Sequence, residues 1–486
     1  MISGERRTGI ETTTEALRAE PLEAEYFDSG SLYVRGRTVG VETLLGDPKS
    51  AILKLSAPMV VSMFLLSLYN IVDAFWVAGL GSDALAAVGF VFPLFFVALG
   101  IANGLGVGGG SAISRRIGTQ DKAGADLVAQ HTMAIMAAVA VLFSIPLYLA
   151  SDRIFVLLGA GSAAPLAADY AKAIFTGTIF LLFSNVAYAI LRGEGDAKRA
   201  MYAMGVASLL NILLDPIFIY VFGWGIGGAA WATVLSMAVS SAVMLWWMAV
   251  KKETYVSINS LGFSCDRGIV REILQVGVPA SFEFISLALM GIVINLIIVA
   301  VSSTDGVAVC SVGMRVVNIG MTPLIAMSTA VISVSGAAFG SKAFQKIDDA
   351  HLYSVRVGIL VALLLSAATY IFAPQIAVLF SYSEASRDLA SEIIIFLRVM
   401  AFFYPAIPLG IFAAAVFQGV GRGSTALAIS VLRTVVFNVM LVMLFAVGFG
   451  WGLPGVWWGM VIGNLLGDAV GYIWVRSYVG KLVRRD

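Results

Sequence analysis

The amino-acid sequence predicts an all-α membrane protein with twelve transmembrane helices, arranged as two six-helix lobes related by pseudo-two-fold symmetry. The first observation is composition: of 486 residues, 59% are hydrophobic and only 13% are charged, whereas soluble domains carry about 25% charged residues. The second is that the apolar runs are continuous and reach the roughly 20 residues that a helix needs to cross a bilayer. The third is that segments of the first half of the chain recur in the second half.

The apolar segments follow a polar N-terminal region and divide into two sets of six. The predicted spans are 51–78, 84–110, 127–149, 166–191, 200–222, 227–250, 270–300, 306–336, 352–378, 390–417, 424–447 and 455–478. The predicted units are a polar cytoplasmic N-terminal tail at 1–50, an N-lobe at 51–250, a cytoplasmic linker at 251–269, a C-lobe at 270–480 and a cytoplasmic C-terminus at 481–486. Within the tail we expect a short strand or hairpin around Leu32 to Val41.

A shift of 227 residues superposes one motif of the first half on a motif of the second half. It carries Gly223-Trp224-Gly225 onto Gly450-Trp451-Gly452, but it carries Asp215 onto Val442. Because each half has six spans, both halves enter the membrane from the same side, and the cleft between these parallel repeats is the natural substrate path. A duplicated scaffold with one unduplicated carboxylate indicates a transporter whose cation site lies in one half.

Lys and Arg residues concentrate in alternate loops. Arg115, Arg192 and Lys342 belong to basic loops, whereas the loops Gly79–Asp83 and Gly448–Gly455 contain no Lys or Arg. Basic loops of membrane proteins face the cytoplasm. We therefore expect a multi-pass protein of the plasma membrane with both termini in the cytoplasm.

The composition argues against several other classes of protein. A net charge of +1 gives no bulk attraction to nucleic acid. Cys265 and Cys310 do not suggest a disulfide, and His131 and His351 stand far from any metal-ligand constellation. No ATP-binding motif and no catalytic constellation of His, Cys or Ser is found. We expect no enzymatic activity, and no cofactor apart from H⁺ or Na⁺ as a coupling ion.

Two carboxylates of the predicted N-lobe lie deep within apolar helices, where ionisable groups are costly and mark functional sites. Asp73 lies in the first span and Asp215 in the fifth, with Asn211 one turn before it on the same helix face. Thr233 of the sixth span adds a hydroxyl. Two carboxylates that share a site favour a bound H⁺ or Na⁺; the alternative is that they only join helices through hydrogen bonds. Nearby polar residues are assigned to the support of this site or to the lining of a substrate cavity: Tyr69, Asn70 and Asn185.

Several charged residues lie within the apolar spans of the predicted C-lobe, among them Glu283, Arg315, Arg433 and Asp468. The guanidinium fork of Arg315 is suited to bind a carboxylate such as Glu283. We expect these two residues either to form a structural ion pair or to have a functional role in the C-lobe. Arg433 and Asp468 are expected near helix ends, where charged side chains extend to the membrane surface.

Several motifs resemble those of the multidrug and toxic compound extrusion (MATE) transporters. They are Tyr69-Asn70-Ile71-Val72-Asp73 with the following Gly79 to Gly89, Leu191 to Asp196, Asn211 to Pro216, Gly228 to Thr233, and Phe417 to Gly421. The resemblance extends over residues 50–480 and is closest to archaeal members. It implies the two-lobe fold of the MATE and MOP superfamily, a V-shaped cavity, rocker-type alternating access, and export of cationic or amphipathic compounds in exchange for H⁺ or Na⁺.

The resemblance also implies roles for individual residues. The positions that match the N-lobe cation site of the family are Asp73, Asn211, Asp215 and Thr233. Bending of the first helix around Pro58 is associated with protonation or substrate release in similar proteins. Two positions depart from the pattern: Leu287 stands where many relatives carry an essential glutamate, and Tyr188, beside the expected cavity, stands where close relatives carry Asn.

The implied partners are drug-like small molecules and membrane lipids, and we expect a monomer that binds no nucleic acid. The alternative function is a lipid-linked oligosaccharide flippase of the same superfamily. Such a protein needs several cationic residues in its cavity to hold pyrophosphate, and only Arg315 and Arg433 are obvious candidates.

Overall fold

Long helices account for most of the chain in the computed structural model. The structure describes residues 33–34, 37–251, 253–257, 264–380 and 389–484. The predicted tail up to residue 32, part of the predicted linker, and the last two residues lie outside the described residues.

The N-terminal half begins with a hairpin of two-residue strands and continues through seven helices. The elements are β1 (Tyr33–Val34), β2 (Arg37–Thr38), α1 (Val39–Leu45), α2 (Pro48–Ala78), α3 (Ser82–Gly118), α4 (Lys122–Leu157), α5 (Ala164–Gly193), α6 (Ala197–Pro216) and α7 (Gly225–Leu245). The π-helical turns Ile217–Val221 and Trp246–Lys251 extend α6 and α7.

The C-terminal half repeats six membrane-length helical segments, some of them interrupted. The elements are α8 (Arg267–Val301), α9 (Thr304–Gly340), α10 (Phe344–Ile371), α11 (Ala373–Phe380), α12 (Ala390–Ala401), α13 (Ile407–Gly419), α14 (Gly423–Val431), α15 (Asn438–Val442) and α16 (Gly452–Val483). A 3₁₀ turn, Tyr404–Ala406, precedes α13, and the π-helical turns Leu432–Phe437 and Met443–Gly448 flank α15.

The prediction of twelve membrane helices in two lobes is confirmed. Among the described residues, eleven helical segments are long and apolar enough to cross a membrane. The twelfth is α16, which is 32 residues long and carries Asp468 and Arg476. The first membrane helix begins at Pro48, because Asp47 caps its N-terminus by accepting a hydrogen bond from Ser50 N at 2.9 Å.

The end of the predicted tail packs against both lobes. The hairpin reaches Thr38, whose hydroxyl then caps α1, so the strand predicted as far as Val41 gives way to a helix. Val41 of α1 is buried, and Gly40 packs on the backbone of Gly195 in the N-lobe. From the C-lobe, Lys346 Nζ donates to the carbonyl of Leu45 at 2.6 Å.

Part of the predicted linker docks onto the N-lobe. Val256 N donates to the buried carboxylate of Glu194 at 2.9 Å, and Ser257 N donates to Asp126 Oδ1 at 2.8 Å. Arg199 pairs with Glu253 at 3.2 Å. Residues 253–257 are therefore held against the ends of the N-lobe helices by hydrogen bonds and ion pairs.

The two lobes meet along α3, at the end that carries the basic loops. Glycines allow the backbones to approach: a Cβ on Gly277 of α8 would lie 3.0 Å from the carbonyl oxygen of Gly104. Arg115 of α3 pairs with Glu272 of α8 at 3.1 Å and donates to the carbonyl of Gly419 at 3.0 Å. Close packing and an ion pair thus join the lobes at this end.

The other half of α3 packs within its own lobe. Ala84, Ala87 and Val91 form a buried cluster with residues of α4, α5 and α7, and all members of this cluster belong to the N-lobe. A larger cluster contains buried residues of both lobes, among them Ile113 and Ile117 near the basic end of α3. The lobes are thus joined at the basic end, while the opposite half of α3 is held by its own lobe.

We expect Gly118→Ala to open the basic end of the protein. A Cβ at this position would collide with the carbonyl oxygen of Ala337 in the other lobe, and backbone atoms cannot move aside cheaply. Spin labels on the basic ends of α3 and α9, in a background without the native cysteines, should report a longer distance. Gly291→Ala is the matched control, because nothing lies within 4 Å of its Cβ. Equal distances in both variants would contradict the proposed packing.

Docking of residues 253–257 is expected to weaken as pH rises. Burial, with a smaller contribution from Asp196, raises the pKa of Glu194 from 4.5 to about 8, although the Val256 N–H, Arg199 and Lys122 oppose the rise. The docked state therefore binds the proton more tightly, so docking is strongest below pH 4.5 and is progressively lost towards pH 8.

Hydrogen exchange at Val256, expressed as a protection factor, measures this dependence. Protection should fall as pH rises towards 8 in the wild type, and Glu194→Gln should remove the dependence. Asp126→Ala is the control: it removes the acceptor of the bond from Ser257 N but should leave the pH dependence in place. A wild-type protection factor that is constant with pH would refute this account.

Candidate cation site and adjoining cavity

The candidate cation site is built on the end of α6. Asp215 and Asn211 are almost fully buried, one turn apart on the same face, and Thr233 of α7 lies opposite them. The Asn211 amide donates to Asp215 Oδ2 at 3.0 Å and accepts from Thr233 Oγ1 at 3.2 Å, in the orientation that satisfies both neighbours. Pro216 follows directly, and because it has no N–H the regular helix changes there to a π-helical turn.

A second carboxyl group reaches the site from α2. The carboxyl groups of Asp73 and Asp215 are in hydrogen-bonding contact. Asp73 Oδ1 is buried, and no group among the described residues donates to it. Tyr69, one turn earlier on α2, hydrogen bonds through its hydroxyl to Thr233. Two ionised carboxylates in contact repel each other, so this arrangement favours a cation between them.

The structure thus brings together four residues assigned to the cation site, along with Tyr69. These residues supply carboxylate, amide and hydroxyl oxygens. Such oxygens are hard ligands that can coordinate Na⁺, and a carboxylate oxygen can also bind H⁺. Within the described residues, no group of three or more His, Cys, Asp or Glu has the arrangement of a metal site. The oxygen set therefore suits a proton or an alkali cation better than a transition metal.

A cavity of about 150 Å³ adjoins the site inside the N-lobe. It lies between α2, α3, α5, α6 and α7, and its surface is mainly apolar. Six of the residues singled out from the sequence line it: Tyr69, Asn70, Asn185, Tyr188, Asn211 and Thr233. The cavity therefore reaches the cation site through Asn211 and Thr233.

Three of these lining residues are held by bonds away from the carboxylates. Asn70 Nδ2 donates to the carbonyl of Leu66 at 2.8 Å, and Asn185 Nδ2 donates to that of Leu181 at 2.9 Å, both within their own helices. The Tyr188 hydroxyl bonds to Ser240 Oγ at 2.8 Å. Their positions fit a role in lining the cavity rather than in holding the cation.

Sequence reasoning missed one residue near the carboxylates. Tyr170 of α5 lies within electrostatic reach of Asp73, Asp215 and Tyr69. It occurs near the start of a span with no polar neighbour at helical spacing, so no pattern in the sequence indicates its approach to α2. Only the packing of α5 against α3 and α7 brings it there.

Helix α2 runs without interruption past both Pro58 and Asp73. The Ser62 hydroxyl donates to the carbonyl of Pro58 at 2.8 Å. Tyr220, beyond α6, donates to the carbonyl of Trp76 at 2.7 Å and so ties the end of α2 to the neighbouring helix. Bending around Pro58 stays a prediction, since α2 is continuous in this conformation.

The pairing expected between Arg315 and Glu283 is wrong. Arg315 is exposed, whereas Glu283 accepts hydrogen bonds from Gln418 Nε2 at 3.2 Å and from Ser430 Oγ at 2.5 Å. Arg433 and Asp468 do not extend to the membrane surface either. They pair with each other at 3.3 Å inside the C-lobe, because an unpaired charge there is costly.

Comparison with known proteins identifies the family. Residues 58–217 and 279–444, one stretch in each lobe, match the sequence model of the MatE family. The chain belongs to the MATE family. The matched stretches contain Asp73, Asn211 and Asp215, and they correspond to the two repeats predicted from the sequence.

Solved MATE structures support the same assignment. A multidrug resistance MATE transporter of the MOP superfamily in an outward-facing conformation is 42% identical, with a TM-score of 0.90 over 92% of this chain and 99% of that chain. A MOP superfamily transporter from Pyrococcus furiosus Vc1 is 42% identical, with a TM-score of 0.89 over the same shares of the two chains. The binding pocket of that protein is described as having reverse polarity, which suggests a different function for it.

Curated relatives of this MATE chain are more distant. The multidrug export protein MepA of Staphylococcus aureus (strain MRSA252) is 25% identical over 421 residues, which are 86% of this chain and 91% of MepA. The family resemblance inferred from sequence motifs is confirmed. This MATE protein is a multi-pass membrane transporter of the multidrug efflux family.

Substitution of Asn211 is expected to weaken cation binding by tenfold or more, about the loss seen when a supporting partner of a bound ion is removed. The reason is that Asn211→Ala removes the amide between Asp215 and Thr233. The concentration of H⁺ or Na⁺ that produces half of the thermal stabilisation measures the effect. Asn185→Ala is the matched control, since that amide bonds within its own helix. If this half-maximal concentration in Asn211→Ala equalled the wild-type value for both H⁺ and Na⁺, the assignment of Asn211 to the cation site would be contradicted.

Proposed function

We propose that this protein is a cation-coupled multidrug efflux antiporter that exports organic cations or amphipathic compounds by alternating access. The observation that carries the proposal is the contact between the Asp73 and Asp215 carboxyl groups inside an apolar lobe. Two such groups are stable together only when a cation is shared between them. Binding and release of that cation would then change the net charge of the site beside the N-lobe cavity.

Either H⁺ or Na⁺ is compatible with the ligand set. A proton on one carboxyl group would let it donate to the other. A sodium ion would take oxygens from Asp73, Asp215 and the Asn211 amide, with hydroxyls from Thr233 and Tyr69. Moving one charge across a potential of about 100 mV releases about 2.3 kcal/mol, which supports a roughly fiftyfold concentration gradient of exported compound.

The substrate would bind in the cleft between the lobes and reach into the N-lobe cavity. A drug-sized ligand needs a pocket of about 300 Å³ or more, whereas the N-lobe cavity alone measures about 150 Å³. Its mainly apolar lining with a few amides and hydroxyls suits amphipathic compounds. Several relatives of this chain carry the name multidrug export protein, which supports the same class of substrate.

The conformation agrees with the outward-facing half of such a cycle. The lobes are joined at the end with the basic loops, and basic loops face the cytoplasm. On this basis we place both termini in the cytoplasm and the protein in the plasma membrane, as a monomer surrounded by lipid. Entry of the cation from outside would then displace the substrate before the lobes rock to the opposite state.

The flippase alternative has less support. A pyrophosphate-linked substrate requires clustered cations, and no Lys or Arg is among the residues that line the N-lobe cavity in the described structure. Arg433, one of the two candidates, is engaged by Asp468.

Ethidium efflux from proteoliposomes tests the proposal, with Na⁺ and pH gradients imposed separately. We expect wild-type efflux to follow one of the gradients, and Asp215→Asn or Asp73→Asn to reduce coupled efflux at least tenfold, because the shared cation is lost. Asp83→Asn, an exposed carboxylate at the start of α3, is the control and should keep the wild-type rate. Full gradient-driven efflux by Asp215→Asn would refute the coupling mechanism. If correctly inserted wild-type protein transported no ethidium but flipped a lipid-linked sugar across the membrane, the flippase alternative would be favoured.

A further inference from the structure

The C-lobe contains a second group of ionisable side chains, one buried and two partly buried, which the N-lobe site does not involve. Asp468 of α16 is completely buried, and Arg433 of the π-helical turn Leu432–Phe437 is 12% exposed. Glu283 of α8 lies beside them, with Arg433 in electrostatic reach. The three residues come from helices that are distant in sequence, and the tertiary fold alone brings them together.

The charges of this group do not balance. Arg433 supplies one positive charge, and its guanidinium bonds to Asp468 Oδ1 at 3.3 Å. Asp468 Oδ2 and Arg433 Nε are buried without a hydrogen-bond partner among the described residues. When both carboxylates are ionised, the group carries one net negative charge in apolar surroundings, which is strongly unfavourable.

Glu283 is the carboxylate left without an ionic partner of its own. Its two direct contacts are neutral donors, Gln418 Nε2 at 3.2 Å and Ser430 Oγ at 2.5 Å. A serine hydroxyl can donate to a carboxylate and can equally accept from a carboxylic acid. The Ser430 contact therefore suits both protonation states of Glu283, unlike a contact with a fixed cation.

We propose that Glu283 is a proton-binding site of the C-lobe, held by Ser430 and Gln418 and balanced by the Arg433–Asp468 pair. The proton adds to Glu283 Oε1, which then donates to Ser430 Oγ, and the net negative charge of the group is removed. A sodium ion does not suit this position, because Ser430 Oγ is the one further oxygen that the described residues bring into hydrogen-bonding contact with the carboxylate. The site is separate from the N-lobe carboxylates and does not rest on the proposed antiport.

The position of Glu283 connects it to the contact between the lobes. Its neighbour Phe284 packs on α3, where a Cβ on Gly100 would lie 3.1 Å from Phe284 Cβ. Gln418, which bonds to Glu283, directly precedes Gly419, and the Gly419 carbonyl accepts from Arg115 of the N-lobe at 3.0 Å. Protonation of Glu283 would weaken its hold on Gln418 and so alter the support of this inter-lobe bond.

Infrared difference spectroscopy of the full-length protein in nanodiscs tests the proposal without a transport assay. The parent is Asp73→Asn/Asp215→Asn/Glu194→Gln, which removes the carboxyl groups of the N-lobe site and the buried Glu194 carboxyl group. Lowering the pH should produce the carbonyl-stretch band of a buried protonated carboxyl group in this parent. Glu283→Gln should abolish the band, and Ser430→Ala should shift its frequency because one hydrogen bond is lost.

Controls make the assignment specific. Asp305→Asn, an exposed carboxylate at the start of α9, should leave the band unchanged. A band that persists in Glu283→Gln, or that Asp468→Asn removes while Glu283→Gln does not, would overturn the proposal. Loss of the band when Na⁺ is added at constant pH would also overturn the proposal, because Na⁺ would then have displaced the proton. Since the N-lobe carboxyl groups are already absent, failure here is distinguishable from failure of the antiport mechanism.

Discussion

The cost of an unbalanced charge in an apolar environment is the constraint on which the polar interior of this protein depends. Most of each helix is apolar, so each buried ionisable group needs a partner or a bound cation. Arg433 and Asp468 satisfy this requirement as a pair. Asp73 and Asp215 instead contact each other. Because like charges cannot remain together unpaired, this contact is the basis of the cation binding that we propose for the N-lobe.

The lobes are held together in a way that permits their movement. Their contact lies at the basic end, where glycines bring the backbones of α3 and α8 close and Arg115 bonds to the C-lobe. The half of α3 away from the basic end packs within the N-lobe, in a buried cluster that contains no C-lobe residue. The docked tail and linker lie at this same end, where Lys346 of the C-lobe also bonds to the carbonyl of Leu45.

Local patterns allowed much of the site to be predicted. Asn211 and Asp215 are one turn apart on one helix, so the sequence spacing alone places them together. Thr233 and Asp73, which are on other helices, lie beside this pair in the structure, and their role in holding a cation stays a prediction. The partner expected for Glu283 was wrong, because Arg315, Gln418 and Ser430 lie on three different helices and helix rotation decides which of them faces α8. Tyr170 was missed for the same reason.

The sequence by itself determined the class of protein, the number of membrane helices and the two repeated halves. These follow from the length of apolar runs and from the need of a backbone in lipid to satisfy its hydrogen bonds within helices. The tertiary structure alone decided which charges meet, where the lobes touch, and that residues 253–257 bind Glu194. Such contacts join residues far apart in the chain, and they depend on helix rotation and depth, which hydrophobic periodicity does not specify.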